Sequence, residues 1–453
     1  MKTLENNLTQ GSVFKKLWAF TLPLIGANLL QILYGMVDLY IVGRFATTAD
    51  VSAVSVSTTV LSAFLMFLIG LAVGGTVVVG QKFGAGEKEA LSSVAATAFS
   101  LAWIVGVALM LIVAAMARPI LGWINTPEAA VRGATSYILI CSIGYMFQSV
   151  YNMLAGILRG MGDSKSPLLY VAVATVVNIV SDYVLVAIFG LGAAGTAIAT
   201  VFAQLLCMLF AIFHVKKRDF PFDFRLKSYR LVKRDAAALF RTGIPIALQQ
   251  ALVLFSFVIV AAIINRHGLY ASAAAGILDK VFLFATIPTN AFHASISAMV
   301  AQNIGAREEK RAIQCLRYGL LFSFLFAFAF FLTGLFFPEQ TMRIFTSDPG
   351  VIAEGVVYYK GYKYDYLICS IAFCINGFIN GTGHTRLTLI ANLISTYAVR
   401  IPACILVGNV WKLGMLGIGF ALPVATAVQV IIGAAFFFSG RWKNDLYLPG
   451  AAE

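Results

Sequence analysis

Two aspartates stand where aspartates are costly. Asp38 interrupts LYGMVDLYIVGRF, and Asp182 interrupts VVNIVSDYVLV, both inside long apolar runs. An ionised group at bilayer depth costs several kcal/mol, so an intramembrane acid marks an ion pathway or a paired contact. Asn178 lies four residues before Asp182, on the same helix face. Thr200 follows in the next apolar run. Held close, two carboxyls cannot both ionise without a cation, so such a pair keeps one proton or one Na⁺. Asp38, Asn178, Asp182 and Thr200 supply enough oxygens for a small hard cation, whereas a transition metal would call for His or Cys among them. The plainer alternative for each aspartate is a protonated helix-to-helix hydrogen bond.

The elements that must place these residues follow from composition. Of 453 residues, 60% are hydrophobic and 12% charged, against about 25% charged in soluble globular proteins. Mean hydropathy is +0.87. A soluble enzyme needs more charge to cover its surface, and a disordered chain needs low hydropathy. The class is a polytopic, all-α integral membrane protein. No nucleophile–His pair, P-loop or Rossmann fingerprint stands in the sequence, so neither an enzyme nor intrinsic ATP-driven transport is expected. No cofactor is expected beyond a transported H⁺ or Na⁺. The six cysteines form no CxxC pair and read as packing residues.

Apolar runs broken by Gly, Pro and charge clusters predict twelve spans. They cover about 16–43, 52–80, 93–117, 134–158, 167–189, 194–215, 242–265, 272–300, 316–337, 361–381, 387–409 and 416–438. The first is long, with no small-residue cleavage site after it, and is expected to be a retained span. With the N-terminus inside, cytoplasmic segments carry 23 Lys and Arg and outer segments 8. The positive-inside rule then puts both termini in the cytoplasm of a cell-membrane protein. That same asymmetry accounts for the +13 net charge through anionic lipid, with no nucleic-acid partner needed.

The chain repeats itself. VGQKFGA at 79–85 returns as VAQNIGA at 300–306, and AGILRGMGD at 155–163 returns as NGFINGTGH at 376–384, both at one common offset. LGAAG at 191–195 returns as LGMLG at 413–417, at nearly the same spacing. The expected domains are an N-lobe at 1–215, a cytoplasmic linker at 216–241 and a C-lobe at 242–453. Six spans per half make the lobes parallel repeats, the layout of a secondary transporter with a cavity near the midplane. Gly156/Gly160 and Gly377/Gly381 have GxxxG spacing, which serves close helix approach. In the second half, Lys280 beside Asp279 reads either as an intramembrane ion pair or as a functional group. His293 and His384 read as structural.

These motifs resemble the multidrug and toxic compound extrusion (MATE) family over nearly the whole chain. The resemblance rests on ENNLTQGSVFKKLWAFTLPLIGANLLQILYGMVDLYIVGRF, the two VxQxxGA blocks, ILRGMGDSKSP, and LGAAG with its echo LGMLGIG. It implies an antiporter that expels organic, often cationic, drugs in exchange for H⁺ or Na⁺ by alternating access. It carries the ion-coupling role onto Asp38, Asn178, Asp182 and Thr200, which resemble the N-lobe site of the DinF-like branch. It makes Gln31, Tyr34 and Asn152 substrate-cavity candidates. Gln249 and Gln250 join them, standing in the seventh span, where the NorM-like branch carries an acid. Asp365, in the tenth span, lies off the register of that branch. A monomer suffices, since one chain holds both lobes. The alternative reading is a lipid-linked oligosaccharide flippase of the related superfamily, for which Lys280 and Arg400 would serve a pyrophosphate.

Overall fold

A computed structural model describes residues 7–443 except 219 and 223. Lys2 and both chain ends, which enter the expected orientation of the termini, lie outside the described residues. Among the described residues every regular element is a helix. In order these are α1 (Val13–Phe45), α2 (Thr48–Gly84), α3 (Lys88–Trp123), α4 (Glu128–Gly160), α5 (Lys165–Asp182), α6 (Gly192–Lys216) and α7 (Lys233–Asn265). Then come α8 (Leu269–Gly305), α9 (Glu309–Phe336), the short α10 (Pro338–Arg343), α11 (Pro349–Gly381), α12 (Thr385–Leu393), α13 (Ile401–Ile405) and α14 (Gly414–Phe438). Among the described residues, eleven helical stretches are long and apolar enough to cross a membrane. The expected tenth span is α11, which carries the polar run KGYKYDY at its middle.

The helices overrun the expected spans because caps and turns, not hydropathy, end them. Asp348 accepts from the Gly350 and Val351 amides and starts α11 well before the predicted 361. The fifth span continues from α5 as a π-helical stretch, Tyr183–Ile188. The eleventh is broken similarly, with π-helical Ile394–Arg400 and Leu406–Val410 on either side of α13. Such widened turns are frequent at functional sites.

The chain divides into two compact units, and the division differs from the expected boundaries at 215 and 242. The first unit takes Leu22–Ala247 and the second takes Leu8–Thr21 with Leu248 onward. The division falls inside α1 and inside α7, each time close to a helix proline, Pro23 and Pro245. The stretch expected to be a free linker belongs to the first unit. There Phe99 stacks on Phe222 with centroids 5.1 Å apart and meets Phe224 at 4.9 Å. Ser93 donates to Asp235 at 2.6 Å, so α7 already forms within the expected linker.

In the first unit α2 and α4 cross at backbone contact. Gly156 packs on the Ala72 carbonyl, and a Cβ at Gly160 would lie 2.8 Å from the Thr76 carbonyl oxygen. Thr76 Oγ1 donates to the Gly156 carbonyl at 3.0 Å. In the second unit Gly377 and Gly381 do the same for α11 against α8, at the His293 and Ser297 carbonyls. The two GxxxG pairs therefore serve close packing. The second unit also holds Leu8–Thr21. Leu8 N–H donates to Gln302 Oε1 at 3.0 Å, and Arg311 donates to the Gly11 carbonyl at 2.9 Å. Thr21 donates to Ser295 at 2.8 Å, and Trp18 packs on Phe322 with centroids 5.0 Å apart.

Candidate functional site

Three turns place the predicted residues of the first unit. Gly162, at φ +88°, ends α4, and Asp163 caps α5 by accepting the Lys165 and Ser166 amides, each at 3.0 Å. The motif GMGDSKSP is thus a turn that aims α5, with Arg218 3.6 Å from the Asp163 carboxylate. Gly192, at φ +54°, opens α6, and a Cβ there would sit 2.7 Å from Asp50. Asp50 accepts the Ala193 amide at 3.1 Å while closing the capping box of α2 with Thr47. One carboxylate therefore ties the starts of α2 and α6 together.

These turns bring the four coupling candidates into one buried cluster. Asp38 from α1 is 5% exposed, Asn178 and Asp182 from α5 are 0%, and Thr200 from α6 is 9%. The Asp38 and Asp182 carboxyls face each other within interaction range, with the Asn178 amide beside Asp182. Asp38 Oδ1, both Asp182 oxygens and both polar atoms of Asn178 have no hydrogen-bond partner among the described residues. No Lys or Arg of the described residues pairs with either acid. Two carboxylates are acceptors only, so each leaves the other unsatisfied. Such a pair can hold one proton, which turns one acid into a donor, or one hard cation.

Tyr34, expected in a substrate cavity, instead donates to Thr200 Oγ1 at 3.0 Å and joins this cluster. It lies one helical turn before Asp38, on the same face. Tyr137 and Cys141, also a turn apart on α4, complete the surroundings. Sequence reasoning missed Tyr137 and took Cys141 for packing alone. Their i, i+4 spacing on a helix packed against α6 was the available signal.

The remaining candidates stand on α1, α4 and α7. Gln31 is exposed on α1, and Asn152 is buried on α4 with its Nδ2 unpartnered. Gln249 and Gln250 are half-buried on α7 and belong to the second unit. An apolar pocket in the first unit, lined by Leu68, Leu101, Val105, Ser149, Met153 and Phe240 among others, includes none of them.

The second unit removes one of the two readings of Asp279 and Lys280. Asp279 and Lys280 form no ion pair with each other; Asp279 accepts from Tyr362 at 3.4 Å. Neighbouring helical residues point about 100° apart, which separates the two charges. His293 is 3.3 Å from the Asn380 amide, and His384 is 3.1 Å from Thr382 Oγ1, both structural contacts. Asp365 is 3% exposed, with Arg400 in electrostatic reach and Cys369 and Thr426 beside it.

Fold and site together define a multi-pass, all-helical membrane protein with an internal duplication and a buried acid pair in one half. The MatE family matches residues 23–184 and 245–406, and the chain belongs to that family. The two matched stretches are set apart by the offset of the internal repeat. The chain is 27% identical to the probable multidrug resistance protein YpnP of Bacillus subtilis, over 96% of this chain and 97% of that protein. It is 26% identical to the probable multidrug resistance protein NorM of Thermotoga maritima, over 96% and 94%. Its fold is similar to that of a MOP superfamily transporter from Pyrococcus furiosus, with a TM-score of 0.90 at 20% identity over 98% and 100% of the chains. It is similar also to a multidrug resistance MATE family transporter in an outward-facing conformation, with a TM-score of 0.89 at 19% identity over 99% and 100%.

Proposed function

We propose that this protein is a cation-coupled multidrug exporter of the cell membrane, exchanging amphipathic, often cationic, organic compounds for H⁺ or Na⁺. The observation that carries the reading is the buried Asp38–Asp182 pair, which faces neutral side chains and leaves Asp38 Oδ1 and both Asp182 oxygens without a hydrogen-bond partner among the described residues. Similarity to proteins named for multidrug resistance supports the substrate class. Asp38 and Asp182 take up the coupling ion from outside; Asn178 and Thr200 add oxygens to it. Neutralising the pair removes the repulsion between α1 and α5 and lets α1 repack near Pro23, which disfavours bound drug. The site then opens to the cytoplasm and releases the ion. The protein works as a monomer, with both termini inside.

Energetics bound the exchange. One pH unit supplies about 1.4 kcal/mol, or roughly tenfold accumulation of a monovalent cation in one-for-one electroneutral exchange. A neutral or zwitterionic compound moves net charge when exchanged for H⁺ and adds about 2.3 kcal/mol per 100 mV.

The test is uptake of a fluorescent organic cation into everted vesicles, the direction that corresponds to efflux from the cell, with a pH gradient and a Na⁺ gradient imposed separately. The expected result is a response to one gradient, lost in Asp38→Asn while the protein stays inserted. Efflux by Asp38→Asn at the wild-type rate would overturn the assignment. No response to either gradient would overturn the coupling itself and turn attention to lipid translocation.

A further inference from the structure

Asp279 and Lys280 take no part in the cluster just described. They lie about three turns into α8, which begins at Leu269. At about 1.5 Å per residue that is roughly 15 Å along the helix, near the middle of a hydrocarbon layer about 30 Å thick. Both side chains are exposed. Exposed charges at that depth are costly against lipid, which points to a water-filled space beside them. Gly276 and Ala273, one and two turns nearer the start of α8, are exposed too. Nothing lies within 4 Å of where a Gly276 Cβ would stand, so the approach to the charges is open.

Asp279 is anchored and Lys280 is not. Tyr362, which donates to Asp279, is itself locked between Tyr358 and Phe282, with centroids at 5.0 and 5.4 Å. Lys280 has no ion-pair partner among the described residues. The repeat does not require the charges: Thr58 and Thr59 stand at the corresponding positions of the first half.

We propose that Asp279 and Lys280 form a subsite for the head group of zwitterionic amphiphiles, Asp279 taking the cationic end and Lys280 the carboxylate. The proposal rests on the reading of the protein as an exporter of organic amphiphiles. A plain monocation gains Asp279 but meets the repulsion of Lys280, whereas a zwitterion satisfies both. Export of a zwitterion against H⁺ is then driven by the membrane potential as well as by the pH gradient.

The experiment measures binding, not transport. Full-length protein in nanodiscs is titrated by fluorescence anisotropy with rhodamine B, a zwitterion, and with its ethyl ester, a cation of nearly the same shape. Wild type is expected to prefer rhodamine B. Lys280→Gln should shift the ratio of dissociation constants towards the ester by about tenfold, the scale of one charge-assisted hydrogen bond. Lys280→Arg should keep the ratio, and Asp279→Asn should weaken both dyes. Melting curves identify a variant that has lost its fold, and Asp279→Glu, which keeps the charge, should then retain binding of both dyes. An unchanged ratio in Lys280→Gln, unchanged binding in Asp279→Asn, or no binding of either dye by wild type overturns the subsite. Asp38→Asn should leave the ratio alone, so failure of the coupling reading would show in vesicles and not here.

Discussion

The two units carry one repeat and handle buried charge in opposite ways. In the first, Asp38 and Asp182 face each other with only neutral groups around them: Asn178, Tyr34, Thr200, Tyr137 and Cys141. At offsets of 221–222 in the second half, Asp38 falls on Ile259/Val260, Asn178 on Val399/Arg400, Asp182 on Ala403/Cys404 and Thr200 on Ala421/Leu422, none of them an acid. The second unit has a buried acid, Asp365, on a different helix, with the Arg400 guanidinium in electrostatic reach but forming no direct salt bridge with it. Arg400 is 7% exposed and lies 5.3 Å from the Phe257 ring centroid. Among the described residues no Lys or Arg pairs with the acids of the first unit, whereas Arg400 stands in electrostatic reach of Asp365 in the second. On the proposed reading, the first unit is the one left to bind a mobile cation.

The largest expected effect breaks that comparison outright. Asp182→Asn should reduce gradient-driven efflux to background, whereas Asp365→Asn should leave a clear response to the same gradient in the vesicle assay. Equal loss in both variants would mean that the second unit also couples. Next comes the fixed charge. Arg400→Met leaves Asp365 without its countercharge and should destabilise the protein by about 3 kcal/mol, read as a lower melting temperature in detergent. The double variant Arg400→Met with Asp365→Asn should recover part of that loss, and no recovery would separate the two residues.

A shared feature offers a control of intermediate size. Gly156→Val and Gly377→Val should each cost about 1–3 kcal/mol, because both put side-chain atoms against a facing backbone carbonyl. Similar melting shifts would confirm that packing follows the repeat even where charge does not. The smallest effect sharpens the first unit. Thr200→Val removes the acceptor for Tyr34 and should cost about 1 kcal/mol. It should also move the pH dependence of efflux, which a packing defect alone would leave in place.

Much of the fold was legible because apolar length and charge asymmetry leave little choice in a membrane. The repeat blocks were legible because the Gly positions recur where backbones touch: Gly156 and Gly377 meet carbonyls on the facing helices. The acid pair was legible because charge is rare at that depth. Tyr34 was a cavity candidate through the family resemblance, and nothing in the sequence shows the hydroxyl reaching Thr200, which stands far along the chain. The ion pair considered for Asp279 and Lys280 failed because adjacency along a helix is not proximity of side-chain ends.

By itself, then, the sequence determined the membrane class, the helical spans, the duplication and the identity of the buried acids. Each of these follows from local composition, spacing or the cost of charge in lipid. Tertiary structure alone decided that Asp38 and Asp182 face each other, that Tyr137 and Cys141 stand with them, and that the first residues of α1 pack with the second unit. Those facts depend on how helices far apart in the chain come together, and a one-dimensional pattern carries no measure of that.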